Sequence, residues 1–108
     1  MHNDYIELTK NIFALYQKLT RKHGAMTVNE RLWLSGYYDE YEASIKEQNI
    51  SKFISISVGI NVDTPSIKEN LKRRGITITN EIEIMINDLK LEIMGTGWNS
   101  PIWLDTKF

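Results

Sequence analysis

The stretch EIEIMINDLKLEIM, residues 81–94, decides the fold because its apolar residues fit both a β-hairpin and a helix. Most apolar positions carry even numbers before Asn87-Asp88 and odd numbers after it. A two-residue turn there requires this change, since it pairs residues whose numbers sum to a constant. The pairs on one side of such a ribbon are Ile86 with Leu89, Ile84 with Leu91, and Ile82 with Ile93.

A helix over the same residues is the alternative. Asn80 and Glu83 would then form a capping box at its start. That helix leaves Ile84 and Leu91 on its opposite face, and β-branched isoleucine favours strands. The stripe that the helix would bury contains Ile82, Met85, Ile86, Leu89 and Ile93. Taken together, the pattern favours the hairpin.

The chain before this stretch is predicted to be mainly helical. Apolar residues recur at three- and four-residue spacing in residues 3–22, and Thr27 with Glu30 predicts a capped second helix that runs to about Gln48. Residues 50–62 fit either a strand or a short helix, and the helix is slightly favoured. Thr64-Pro65-Ser66 is a strong start for a helix that ends near Arg74.

The predicted fold class is therefore α+β, with N-terminal helices packed against a C-terminal β-hairpin. The helical part covers about 3–75, and the hairpin with a tryptophan-containing tail covers about 76–108. With 108 residues, 42% hydrophobic and 25% charged, the chain has the size and composition of one folded domain, 1–108.

Composition also bounds the function. The sequence has no cysteine, which excludes disulfides, thiolate nucleophiles and Cys-type metal sites. It has no apolar run long enough to span a membrane and no signal-peptide pattern, so we expect a cytoplasmic protein. Frequent isoleucine, asparagine and lysine indicate an AT-rich genome, such as that of a low-GC bacterium or its phage.

Charge is unevenly distributed along the chain. Residues 50–75 carry five lysines or arginines against two acids, a balance of +3, whereas residues 76–108 carry two against five, a balance of −3. The two histidines, His2 and His23, do not form a pair that suggests acid–base catalysis, and no nucleophile, phosphate-loop or metal motif is present. We therefore expect a protein that is not an enzyme and needs no cofactor or metal.

The favoured functional hypothesis is a small protein that binds another protein, as a stoichiometric inhibitor, immunity protein or antitoxin-like neutraliser. The partner would present a basic surface, as toxins and nucleases do, to an acidic ribbon formed by Glu81, Glu83, Asp88 and Glu92. The aromatic anchors of the interface would be Trp33, Trp98 and Trp103.

The alternative is a winged-helix regulator that binds DNA. Residues 50–94 would supply a short helix, a recognition helix from Thr64 to Arg74, and the hairpin as the wing. The acidic hairpin counts against this hypothesis, because a wing lying along phosphates should be basic. The nucleic-acid contacts would come from Lys68, Lys72, Arg73 and Arg74.

The tract TVNERLWLSGYYDEY, residues 27–41, contains NERL, a glycine and an Asp-Glu-aromatic triplet. In this it resembles the opening of small, uncharacterised bacterial helical proteins. The resemblance covers about residues 27–60. It implies helices and carries no function.

Overall fold

The computed structural model describes residues 3–94, and the secondary structure of this part is entirely helical. Its six helices are α1 (Asn3–His23), α2 (Val28–Ser35), α3 (Tyr38–Lys46), α4 (Ile50–Gly59), α5 (Thr64–Arg73) and α6 (Asn80–Ile93). None of the helices in 3–94 is long and apolar enough to cross a membrane.

The predicted C-terminal hairpin, and with it the α+β class, is wrong, because α6 occupies residues 80–93. The side chain of Thr79 accepts a hydrogen bond from the backbone N–H of Ile82 and caps the helix. Preference for strands depends strongly on context, and here α1 and α4 offer an apolar surface that a helix can cover. The residues that α6 buries are Met85, Ile86, Leu89 and Ile93.

Helix α4 is the centre of the core and packs against α1, α3 and α6. Every residue from Phe53 to Ile60 is buried, so this short helix is covered around its whole circumference. Residues 50–59 therefore form the helix that was favoured over a strand. A helix that is buried on all sides must be largely apolar, and the sequence ISKFISISVG departs from this rule only by its serines and one lysine at the start.

The buried serines of α4 satisfy their hydroxyls with nearby oxygen atoms. Ser57 Oγ donates to the carbonyl of Phe53, four residues earlier, at 2.8 Å. Ser55 Oγ lies 2.7 Å from Thr9 Oγ1 and 3.1 Å from the carbonyl of Tyr5, both on α1. Because each hydroxyl has a partner, burying these serines avoids most of the cost of an unpaired polar group.

The helix predicted from Thr27 to about Gln48 is divided into two. Gly36 adopts a left-handed conformation, with φ of 83°, and ends α2. A residue without a Cβ tolerates this conformation at little cost, and the chain then changes direction before α3. The polar residues 47–49 separate α3 from α4, which has Asn49 as its N-cap.

Helix α5 is capped by Asp63, one residue before the predicted Thr64. The Asp63 carboxylate accepts a hydrogen bond from the backbone N–H of Ser66 at 3.1 Å and another from its hydroxyl at 2.9 Å. Pro65 lies in the first turn, where its missing N–H costs nothing. Only Ile67 and Leu71 of α5 are buried, so this helix lies at the edge of the core.

Candidate protein-binding surface

The turn between α2 and α3 brings two aromatic rings together. The backbone N–H of Gly36 donates to the carbonyls of Leu32 and Trp33, and this closes the last turn of α2. The chain then reverses, and the ring of Tyr38 stacks on the indole of Trp33. Their centroids are 4.5 Å apart and their planes differ by 7°. The sequence LWLSGYY therefore encodes a turn that positions a stacked aromatic pair.

The tryptophan of this pair and the leucine that follows it are exposed. Trp33 is 64% exposed and the neighbouring Leu34 is 48% exposed, while Tyr38 is half-buried. Large apolar side chains that share one surface region are informative, because tryptophan and tyrosine are enriched among the residues that dominate binding energy. We call Trp33, Leu34 and Tyr38 the aromatic corner.

The helices that carry the aromatic corner are fixed to the core. Leu32 is buried on α2, and Tyr41 of α3 packs on Phe53 of α4, with ring centroids 4.9 Å apart. At the start of α2, Glu30 accepts from the Thr27 backbone N–H at 2.9 Å and the Thr27 hydroxyl accepts from the Glu30 N–H at 3.2 Å. The predicted capping box is therefore present, and the surface of the corner is supported by rigid elements.

Arg31 ties α2 to the connection between α4 and α5. Its Nη1 donates to the carbonyls of Ile60 and Asn61, at 3.1 and 3.3 Å. Its Nε donates to the carbonyl of Met26, and its guanidinium lies 5.5 Å from the centroid of the Tyr16 ring. In the NERL motif, Arg31 thus has a structural role, and its side chain is partly buried.

The surface of α2 and α3 is acidic. Residues 28–47 carry five acids against two basic residues, a balance of −3. One basic residue is the inward-facing Arg31, and one acid, Glu40, forms an ion pair with Lys52 at 3.3 Å. The remaining acids are exposed and lie on the two helices that carry the aromatic corner or directly after α3: Glu30, Asp39, Glu42 and Glu47.

The four acids predicted to form a ribbon lie on different sides of α6. Glu81, Asp88 and Glu92 follow one flank of the helix, since they are spaced by seven and four residues. Glu83 lies away from them and accepts a hydrogen bond from Lys68 Nζ at 2.9 Å. Glu92 pairs with Lys10 of α1 at 3.6 Å. Two lysines of the same chain thus offset part of the negative charge that these acids would have presented to a partner.

The helical structure of α6 is incompatible with the predicted winged-helix arrangement. Helix α6 occupies the place of the wing, and residues 3–94 contain no hairpin. Of the four basic candidates, Lys68 pairs with Glu83, and Arg73 Nε lies 3.6 Å from Glu69. Lys72, Arg73 and Arg74 are exposed at the end of α5. The basic residues therefore do not form one uninterrupted positive face.

Two concave regions accompany these surfaces. A polar cleft of about 630 Å³ lies between α2, α3 and α5 and includes Glu42, Glu69 and Arg73 in its walls. An apolar groove of about 580 Å³ lies where α4 and α6 begin and is lined by Ile50, Ile76 and Ile84 among others. Within 3–94, no three His, Asp or Glu side chains are close enough to hold a metal ion.

Of the three predicted aromatic anchors, only Trp33 falls within the described residues, while Trp98 and Trp103 lie outside them. The sequence did not single out Leu34 and Tyr38 as anchors, because the predicted continuous helix placed them on a stripe away from Trp33. Gly36 was the signal that could have revealed the turn. No protein-family model, no curated protein and no solved structure matches this chain.

Proposed function

We propose that this protein is a non-catalytic protein-binding domain that contacts its partner through the aromatic corner. The observation that carries the proposal is the exposed Trp33, with the half-buried Tyr38 stacked on its ring and the exposed Leu34 beside it. A rigid aromatic pair offers a large contact area and loses little conformational entropy on binding. We therefore expect the aromatic corner to contribute most of the binding free energy.

The partner is expected to present a basic surface with a side chain that covers the Trp33 ring. The exposed acids of α2 and α3 attract such a surface, and an arginine of the partner would gain both a charge interaction and a contact with the indole face. Occupying the basic surface of a toxin or nuclease would neutralise that protein stoichiometrically. This role keeps the predicted class of partner and moves the contact from α6 to α2 and α3.

The test begins with a photoreactive amino acid in place of Leu34, installed in the full chain in its source cells. A discrete crosslinked protein is then purified and titrated with the wild-type chain. We expect a 1:1 complex that weakens as salt rises, and Trp33→Ala should weaken it about 30-fold or more, which corresponds to a hot-spot residue of at least ~2 kcal/mol.

Leu91→Ala is the matched control, because Leu91 is an apolar residue of α6 that is as exposed as Trp33. It should leave the affinity for the partner within about twofold, since surface changes away from a contact have small effects. If Trp33→Ala and Leu91→Ala lowered the affinity equally, or if Trp33→Ala did not change it, the aromatic corner would not be part of the interface. A partner whose contact surface is acidic would contradict the charge argument.

A further inference from the structure

The connection between α5 and α6 contains a short stretch of extended chain. Residues 76–79, ITIT, belong to no helix, and Thr79 has extended backbone angles, with φ of −99° and ψ of 170°. Exposure alternates along this stretch, since Ile76 and Ile78 are half-buried against the core while Thr77 and Thr79 are exposed. Such alternation is typical of an extended chain with one face on a core. We call residues 76–79 the extended segment.

The backbone groups in the middle of the extended segment lack backbone partners. At its ends, the N–H of Ile76 donates to the carbonyl of Leu71 at 3.0 Å, and the carbonyl of Thr79 accepts from the N–H of Glu83 at 3.1 Å. Between these two bonds, Thr77 and Ile78 make no hydrogen bond to the backbone of any other residue in 3–94. Extended chain with unpaired N–H and C=O groups is a template on which another chain can pair.

The apolar groove lies directly beside the extended segment, and Ile76, Thr77 and Thr79 form part of its wall. Its volume of about 580 Å³ falls within the range of roughly 300–1,000 Å³ that is typical of ligand sites. Apolar side chains from the starts of α4 and α6 form much of the remaining lining: Ile50, Ile54, Ile82, Ile84 and Met85.

Unpaired backbone groups beside an apolar groove match one mode of peptide recognition. In strand addition, hydrogen bonds between main chains align an extended peptide, and pockets receive alternate side chains of that peptide. Here Thr77 and Ile78 supply the donors and acceptors, and the groove supplies the pocket. A small apolar molecule would occupy the groove but leave these backbone groups unused, so the combination favours a peptide.

Charge specifies the peptide further. Glu81 lines the groove, is exposed and forms no ion pair within residues 3–94. None of the described residues that line the groove is basic. A lysine or arginine in the peptide would therefore meet an opposite charge at this position.

A second copy of the chain is a poorer occupant than a peptide from another protein. The copy could pair through its own extended segment, but its Ile76 and Ile78 already pack against its own core. It would therefore bring no free apolar side chain from that segment to fill the groove.

We propose that the extended segment and the apolar groove bind an extended peptide segment of a partner protein, with apolar side chains in the groove and a lysine or arginine beside Glu81. This site shares no residue with the aromatic corner, and the proposal does not depend on the function proposed above.

The test uses the full chain and a fluorescein-labelled peptide of nine residues. Three leucines alternate with threonines in this peptide and a lysine stands at each end, so that it reads the same in both directions. We expect saturable binding in fluorescence anisotropy, and slower hydrogen exchange of the Thr77 or Ile78 amide when the peptide is bound. A peptide of the same composition with its leucines adjacent should bind more weakly, because alternate side chains no longer share one face.

Two matched variants locate the site. Ile84→Asp should weaken binding about tenfold or more, because it places a charge in the apolar groove. Leu91→Asp makes a similar change at another exposed apolar residue of α6 that does not line the groove, and it should leave binding unchanged. Helical circular dichroism confirms that both variants are folded.

A charge exchange tests the role of Glu81. Glu81→Lys should weaken binding of the lysine peptide, and a peptide with glutamate in place of both lysines should recover affinity for this variant.

Three results would overturn the proposal. The first is an affinity weaker than about 1 mM for the alternating peptide. The second is binding that leaves the Thr77 and Ile78 amides as fast to exchange as before, or that Ile84→Asp and Leu91→Asp weaken equally. The third is a dimer in sedimentation whose formation protects these amides without peptide, which would assign the extended segment to a second copy.

Discussion

Gly59 lies where α4 crosses α1 at very short distance. A Cβ placed on Gly59 would come within 2.7 Å of the Cβ of Ile12 and 3.3 Å of the carbonyl oxygen of Thr9. Both atoms are fixed by the backbone of α1, so a rotamer change cannot relieve the contact. The close approach of the two helices therefore depends on the absence of a side chain at Gly59.

We predict that Gly59→Ala lowers the free energy of unfolding by about 1–3 kcal/mol, the usual cost of overpacking a core. The gain in helix propensity, about 1 kcal/mol, acts in the opposite direction and is outweighed. Urea denaturation with a constant m-value measures the change, and Gly59→Ser should be at least as destabilising. An alanine variant as stable as the wild type would show that the two helices can separate at no cost.

Single residues also show how far sequence reasoning reached at the candidate site. Trp33 was predicted as an anchor from its residue type alone, and the structure places it among the exposed side chains. Its stacking partner Tyr38 was not predicted, because a continuous helix places residues five apart on different faces. In the structure the left-handed Gly36 ends α2 between the two residues, and their rings stack across the turn.

At the scale of elements, the start of α5 depends on one exposed carboxylate. Hydrogen bonds from the Ser66 hydroxyl and then from the Ser66 backbone N–H lower the pKa of Asp63 below its usual value. The stabilisation by this cap is therefore fully present above the unfolded-state pKa of about 4. It is lost as the pH falls through the lower folded-state pKa.

Asp63→Asn should keep the cap and remove its titration, since asparagine caps helices about as well as aspartate. We predict that the wild type loses more stability than Asp63→Asn between pH 6 and pH 3, as measured by the urea midpoint at each pH. The effect is small, because Asp63 is exposed and solvent screens its charge. Parallel pH profiles for the two chains would be evidence against this role of the Asp63 charge.

Elements also explain why the sequence suggested the wrong class. Apolar residues such as Ile84 and Leu91 give residues 81–94 the alternating polar and apolar pattern of a hairpin. In the structure these residues form a helix, and four residues of its other apolar stripe are buried against α1 and α4. An isolated two-stranded ribbon is only marginally stable in water. A helix that packs on an existing apolar surface is more stable, because it buries its own apolar residues there. The helices at 3–23 and 64–73 were predicted correctly in type, because their caps and spacing are local signals.

For the whole molecule, the arrangement of charge argues against DNA binding. The net charge is −1, and two of the four basic residues proposed for DNA contacts lie beside acids of the same chain. We predict no salt-sensitive binding to duplex DNA at about 0.15 M salt, where affinity depends on many neutralised phosphates. Fluorescence anisotropy with a labelled duplex is the measurement. Micromolar binding that disappears in the triple variant Lys72→Ala, Arg73→Ala, Arg74→Ala would prove this prediction wrong.

The burial of α4 from Phe53 onward also has a consequence for how the protein is made. A ribosome delivers α1, α3 and α4 before α6, so α4 leaves the exit tunnel with one of its sides still bare. Until α6 has been synthesised, this apolar side is open to other molecules, and partly synthesised chains with exposed apolar surface are prone to aggregate. Nascent chains that stop between α5 and α6 are therefore expected to depend on chaperones, and this dependence should end once α6 has emerged.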